Sequence, residues 1–193
     1  GLFLFLSLFY LVDEKIFSLI LFSFLFLLLG IFSDLKKIES AFKRFLIQIT
    51  LVLSFVVFND FQLYNTKIYL LDEILSIQIV NYLFVSFCIL IVINGSNFFD
   101  GLNTLNLGYY LLISFVIYYL GKNQILNIDQ IFLNLTLAIM MIIFILNFFN
   151  KIYLGDSGSY LIGFIFSIFL IETYMENQHI SPFFIIVLLW YPS

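Results

Sequence analysis

The 193 residues are 63% apolar and 10% charged, with a formal net charge of −4 and a pI near 4.7. A soluble domain is about half apolar and about a quarter charged, and a core of this size cannot hide the excess, so lipid must be the solvent. The acidic balance leaves no basic patch for nucleic acid, and the lone cysteine, Cys88, excludes an intramolecular disulfide and a cysteine metal motif.

Apolar stretches of about 18 residues or more read as membrane spans. In lipid every backbone N–H and C=O must be paired internally, so such runs fold as helices. The short alternating segments of a transmembrane barrel do not occur. Residues 1–12 read as the tail of one helix, followed by a polar turn at 13–15. Residues 16–32 predict a span, 33–44 a polar loop, 45–58 a short span and 59–76 a mixed loop. A span over 77–93 ends at N-G-S-N-F-F-D-G. A span over 108–120 leads through a loop at 121–127 to another over 131–149, which ends at N-K-I-Y-L-G-D-S-G-S. A span over 160–174, a loop near 176–181 and the start of a span at 183–190 complete the chain. The fold expected is an all-α polytopic membrane bundle of seven to eight spans or part-spans, in one domain over 1–193. Gly1 lies inside an apolar run and the last run is cut short, so a piece of a longer protein is expected, truncated at both ends.

Each span carries the chain across the bilayer. Loops 33–44, 94–107 and 149–158 then share one side, with Lys36, Lys37, Lys43, Arg44 and Lys151. The other side holds Lys15, Lys67 and Lys122. The basic excess marks the first side as cytoplasmic. Asp34, Asp100 and Asp156 all fall there. The far side also has acids, including Asp13, Asp60, Asp72, Glu172 and Glu176, and the single histidine, His179, which reads as a loop residue.

Local sequence separates the two sets of acids. Asp100 lies in N-G-S-N-F-F-D-G-L-N at 94–103, and Asp156 in L-G-D-S-G-S at 154–159. Small residues beside a carboxylate at a span end let backbone N–H groups approach a phosphate. The carboxylate would repel that phosphate unless a divalent cation lay between them, and Mg²⁺ binds through one or two carboxylates plus substrate phosphates. Taken singly, each motif has a plainer explanation. Asp34 would be a loop acid balanced by Lys36 and Lys37. Gly101, Gly155 and Gly158 would be helix-end or close-packing residues. Asn94, Asn97 and Asn103 would be caps, and Asn147 and Asn150, near the end of a span, would be interfacial or line the site. Three motifs on one face favour a magnesium–phosphate site at a membrane surface.

The motif at 94–103 resembles the N-A-x-N-x-x-D-G-x-D-G-L motif of the polyprenyl-phosphate N-acetylhexosamine-1-phosphate transferases. L-G-D-S-G-S resembles their F-L-G-D-x-G-S, and G-I-F-S-D at 30–34, with Arg44 and Gln48 downstream, resembles their G-x-x-D-D and R-x-x-x-Q. The resemblance implies that polyprenyl phosphate attacks the β-phosphorus of a UDP-N-acetylhexosamine, releasing UMP. It implies Mg²⁺, with Mn²⁺ an admissible substitute, bound by Asp156 and Asp100. It implies catalytic roles for Asp34, Asp100 and Asp156, with Asp34 facing the lipid phosphate. Asn94, Asn97, Gly101, Leu102, Asn103, Gly155, Ser157 and Gly158 would line the nucleotide-sugar and phosphate sites. Lys43 or Arg44 would hold a phosphate. A bacterial inner-membrane location with a cytoplasmic site follows, and a homodimer is admissible.

Two departures matter. Ser33 stands where the family has the first acid of its pair, so either Asp34 serves alone or no base is needed, a phosphate monoester being largely dianionic near pH 7. Asn103, in place of a second Asp, points to the WecA-like branch and UDP-GlcNAc. UDP-MurNAc-pentapeptide is the alternative substrate. The family's cytoplasmic His/Arg-rich loop is expected after Ser193, so these residues alone should be inactive. A transporter is the rival of another class, but its ionisable groups belong near the bilayer midplane. A membrane scaffold has no need of the Gly/Asp motifs.

Overall fold

The computed structural model describes residues 14–99, 104–128 and 130–184. Seven helices are defined there: α1 (Glu14–Asp34), α2 (Ala41–Phe58), α3 (Tyr69–Leu75), α4 (Gln78–Phe99), α5 (Leu105–Lys122), α6 (Gln130–Phe148) and α7 (Gly155–Glu176). No strand occurs among the described residues. α1, α2, α4 and α7 are long and apolar enough to cross a membrane. The tail expected over 1–12, the loop core 100–103 and most of the last expected span lie outside the described residues.

Between helices in lipid, close packing and polar contacts replace the hydrophobic drive as the adhesive. α7 is central: 67% of its span is buried, against 22% of α2. One flank packs on α1, α2 and α4, where Phe26 stacks on Phe164 at 4.6 Å and Phe55 meets Phe164 edge-on. The other flank packs on α5 and α6, where Tyr110 lies 4.5 Å from Phe166. Hydroxyls within the spans bond back to their own helices, as Thr50 does to Leu46 and Ser114 to Tyr110, so few polar groups face lipid unsatisfied.

Several boundaries differ from the sequence reading, among them the start of α2 at Ala41, inside the expected loop 33–44. α4 does not end at residue 93 but runs through most of its motif, because Asn94 and Ser96 bond back to the carbonyls of Leu90 and Val92 instead of breaking the helix. α7 starts at Gly155, so G-D-S-G-S is the helix's first turn and not a loop. The stretch 59–76 contains α3, whose Asp72 accepts from the N–H and hydroxyl of Thr66 and fixes the helix entry.

The sharing of faces agrees with the span count. At one end Asn177 bonds both backbone groups of Asn127, the Tyr174 hydroxyl reaches the carbonyl of Asn65, and Lys67 reaches that of Ile180. The ends of α1 and α6 and the starts of α2, α5 and α7 gather at the other.

Candidate functional site

Three helix ends converge on Asp156. Gly30 of α1 packs against the backbone of α7: an added Cβ would sit 2.2 Å from the Cα of Ser157. That approach brings Ser33 and Asp34 onto the first turn of α7. The Asp34 carboxylate accepts the N–H of Asp156 at 2.9 Å and of Ser157 at 3.1 Å. These are orphan donors of a helix N-terminus, where the backbone dipole favours negative charge. The N–H groups expected to cradle a phosphate are therefore engaged by Asp34. Gly155 makes room, with φ +63° and Asp34 Oδ2 2.8 Å from where its Cβ would lie. Gly158 abuts the Leu154 side chain.

Asp156 projects from the same turn. Its Oδ2 accepts Nη1–H of Arg44 at 2.6 Å and the hydroxyl of Ser33, which in turn accepts from the same Nη1. Among the described residues no hydrogen bond reaches Oδ1 of Asp156. Arg44 comes from the first turn of α2, capped by Ser40. Nε of Arg44 and, one turn later, Oε1 of Gln48 are buried with no partner among the described residues. Tyr160, one turn beyond Asp156, interacts with Ser33 and lies in the field of Asp156, Arg44 and Asp34. Beside this cluster an open depression of about 910 Å³ is lined by Lys36, Lys37, Glu39, Ser40 and Lys43. A smaller cavity of about 290 Å³, lined by Lys15, Glu172 and Glu176 among others, lies at the far end of the bundle.

The second motif is described on its flanks. Asp100, Gly101, Leu102 and Asn103 lie outside the described residues. Before them, Ser96 is buried, bonded to the Tyr110 hydroxyl. Its carbonyl accepts Nδ2–H of Asn106 at 2.9 Å, which ties α5 back to α4. Asn97 carries a buried Oδ1 with no partner among the described residues, while Asn94 is bonded within its own helix. After the loop, Thr104 takes φ +66° and its N–H donates to Oδ1 of Asn147 at 2.9 Å. Nδ2 of Asn147 donates to the carbonyl of Ile152. Asn147 is thus a buried latch between the two motif loops, not an interfacial residue.

A model of one family, Glycosyl transferase family 4, matches residues 16–174. The chain belongs to glycosyl transferase family 4. No curated protein and no solved structure matches it.

Family 4 chemistry joins a lipid phosphate and a nucleotide sugar. The sequence motifs quoted for it map onto Ser33, Asp34, Arg44 and Asp156, which the fold brings together from three helices. Among the described residues no three acid, His or Cys side chains converge. Oδ1 of Asp156 is an oxygen of the kind Mg²⁺ takes, one or two carboxylates at a time, with waters and substrate phosphates completing its shell. The sequence reading did not find Tyr160 or Asn106, or the direct contact of Ser33 with Asp156. Tyr160 carried a signal, since four residues along a helix from Asp156 places it on the same face.

Proposed function

We propose that the protein transfers N-acetylhexosamine-1-phosphate, first among the candidates from UDP-GlcNAc, to polyprenyl phosphate at the cytoplasmic membrane face. A lipid-phosphate oxygen forms the new bond to the β-phosphorus, the bond to the α-phosphate oxygen breaks, and its electron pair leaves with UMP. The product would begin a cell-envelope polysaccharide. The observation that carries this reading is the assembly of Ser33, Asp34, Arg44 and Asp156 at one end of apolar helices, beside a lysine-lined depression.

One substrate cannot leave the bilayer and the other cannot enter it, so the reaction belongs at helix ends. Lys36, Lys37 and Lys43 supply the positive field that draws a lipid phosphate to this rim. Asp156, with Asp100 and the amide of Asn97, would hold Mg²⁺, which neutralises the charge that builds when one anion attacks another. Asp34 holds the first turn of α7, and with it Asp156, in place. Asn103 favours the WecA-like branch over the muramoyl-pentapeptide substrate.

The test is transfer by the full-length protein from radiolabelled UDP-sugars to polyprenyl phosphate with Mg²⁺. A lipid-linked product is expected with UDP-GlcNAc, and Asp156→Asn should lower the rate by about a hundredfold or more. No product with any UDP-N-acetylhexosamine overturns the reading.

A further inference from the structure

Arg44 is the one arginine in the 193 residues, and its guanidinium is committed to Asp156. Nη1 meets Oδ2 at 2.6 Å, and the Ser33 hydroxyl bridges the two. A carboxylate oxygen has two lone pairs, so Oδ2 is filled by these two donors. The contact uses one guanidinium nitrogen and not the two-pronged fork that makes arginine–carboxylate pairs strong. Among the described residues Nε of Arg44 is buried with no partner, as is Oε1 of Gln48 one turn on. The guanidinium gives up part of its hydrogen bonding to stay beside Asp156. Both side chains keep 24% exposure, enough for a hydrated ion to arrive.

We infer that Arg44 is an internal counter-ion that competes with a divalent cation for Asp156, with Ser33 bridging the exchange. This rests on the cation reading given above. A dication on Asp156 would face the guanidinium across a few ångströms, and like charges in a half-buried site repel strongly. Arrival of the cation and departure of Arg44 are then linked, and the linkage is reciprocal. Ser33 suits the exchange because a neutral hydroxyl both donates and accepts. It can stay with Asp156 while Arg44 leaves, whereas a carboxylate at position 33 would hold the guanidinium more tightly. Lys43, the residue before Arg44, lines the lysine-rich depression. A guanidinium released toward it would offer its planar fork to phosphate oxygens. Arg44 is thus a positioning residue that passes from carboxylate to phosphate as the cation loads.

The test uses the full-length protein in detergent with Mn²⁺ and neither substrate. Phenylglyoxal modification of Arg44 is followed by peptide mass spectrometry, and Mn²⁺ binding by loss of the free-ion paramagnetic signal. Mn²⁺ should speed modification of wild-type Arg44 about threefold or more, a readout that needs no variant to fold. In Asp156→Asn, modification should be fast from the start and indifferent to Mn²⁺. Arg44→Gln should bind Mn²⁺ about fivefold tighter or more. Asp156-dependent Mn²⁺ binding with Arg44 labelling unchanged or slowed, or with affinity unmoved by Arg44→Gln, overturns the competition and leaves the cation site standing. Absence of Asp156-dependent Mn²⁺ binding in every variant overturns the cation reading and the inference together.

Discussion

Gly30 faces backbone across the α1–α7 contact. A methyl there would lie 2.2 Å from Cα and 2.5 Å from N of Ser157, and backbone cannot rotate aside as a side chain can. Gly30→Ala should therefore push the helices apart, costing about 1–3 kcal/mol, measurable by unfolding in detergent or SDS. It should also loosen Ser33 and Asp34 from α7 and lower transfer more than stability alone explains. An unchanged Tm and rate would contradict the packing. At this scale the sequence showed the acids but not their jobs. Asp34 and Asp156 stood out by motif, yet that Asp34 caps the helix carrying Asp156 depends on residues 122 apart in the chain. No local pattern reports such a pairing. Ser33 looked like a loss, an acid replaced, and the contact that explains its usefulness is equally remote.

Helix ends were the least legible elements, and they are where the site lies. Asn, Ser and Gly usually favour caps and turns because their side chains compete for the backbone. In α4 and α7 the same groups bond within the helix, as with Ser96 to Val92 and Ser159 to Gly155, so both motifs extend regular structure. The short span read over 45–58 is part of a longer helix that starts at Ala41, where Ser40 accepts the N–H of Lys43. Asn147 shows how elements are fixed to one another. It is 5% exposed and bonds Thr104 on one side and Ile152 on the other. Asn147→Leu keeps the size and removes both part-buried bonds, at a cost of about 1–3 kcal/mol for the pair. Hydrogen exchange over 104–108 and 149–154 should quicken about tenfold or more, with exchange in α1 unchanged. Equal acceleration everywhere would mean global destabilisation and not a lost latch.

For the molecule as a whole, the apolar runs foretold the helices and the alternation of faces, since lipid leaves the backbone no other choice. They could not foretell which helix is central, because α7 is no more apolar than its neighbours and its burial follows from contacts on both flanks. The far end of the bundle should also respond to acid. At the far end Asp60, in the loop after α2, accepts hydrogen bonds from the Tyr82 hydroxyl and from Gln62, which lower its pKa from the ordinary 3.8. A carboxyl held lower in the fold adds stability above its unfolded pKa and loses it as pH falls through the folded value. Wild type should thus exceed Asp60→Asn in Tm near pH 7, and the gap should close from about pH 4 downward. A gap that is constant with pH would show that Asp60 acts through shape alone.

The span of chain between Arg44 and Asp156 also has a consequence in time. They are 112 residues apart, and at about 5–20 residues per second roughly 5–20 s of synthesis separates them. During that interval Arg44 has no carboxylate from α7 to answer it. It stands near Lys36, Lys37 and Lys43 at the α1–α2 connection, whose basic residues would favour the side of synthesis on the proposed sidedness. The same guanidinium would first help orient the α1–α2 hairpin in the bilayer and only later, when α7 is inserted, be drawn into the site. A substitution at Arg44 can therefore fail at the ribosome before it is ever asked to fail at catalysis, and orientation should be verified before any loss of activity is read as chemistry.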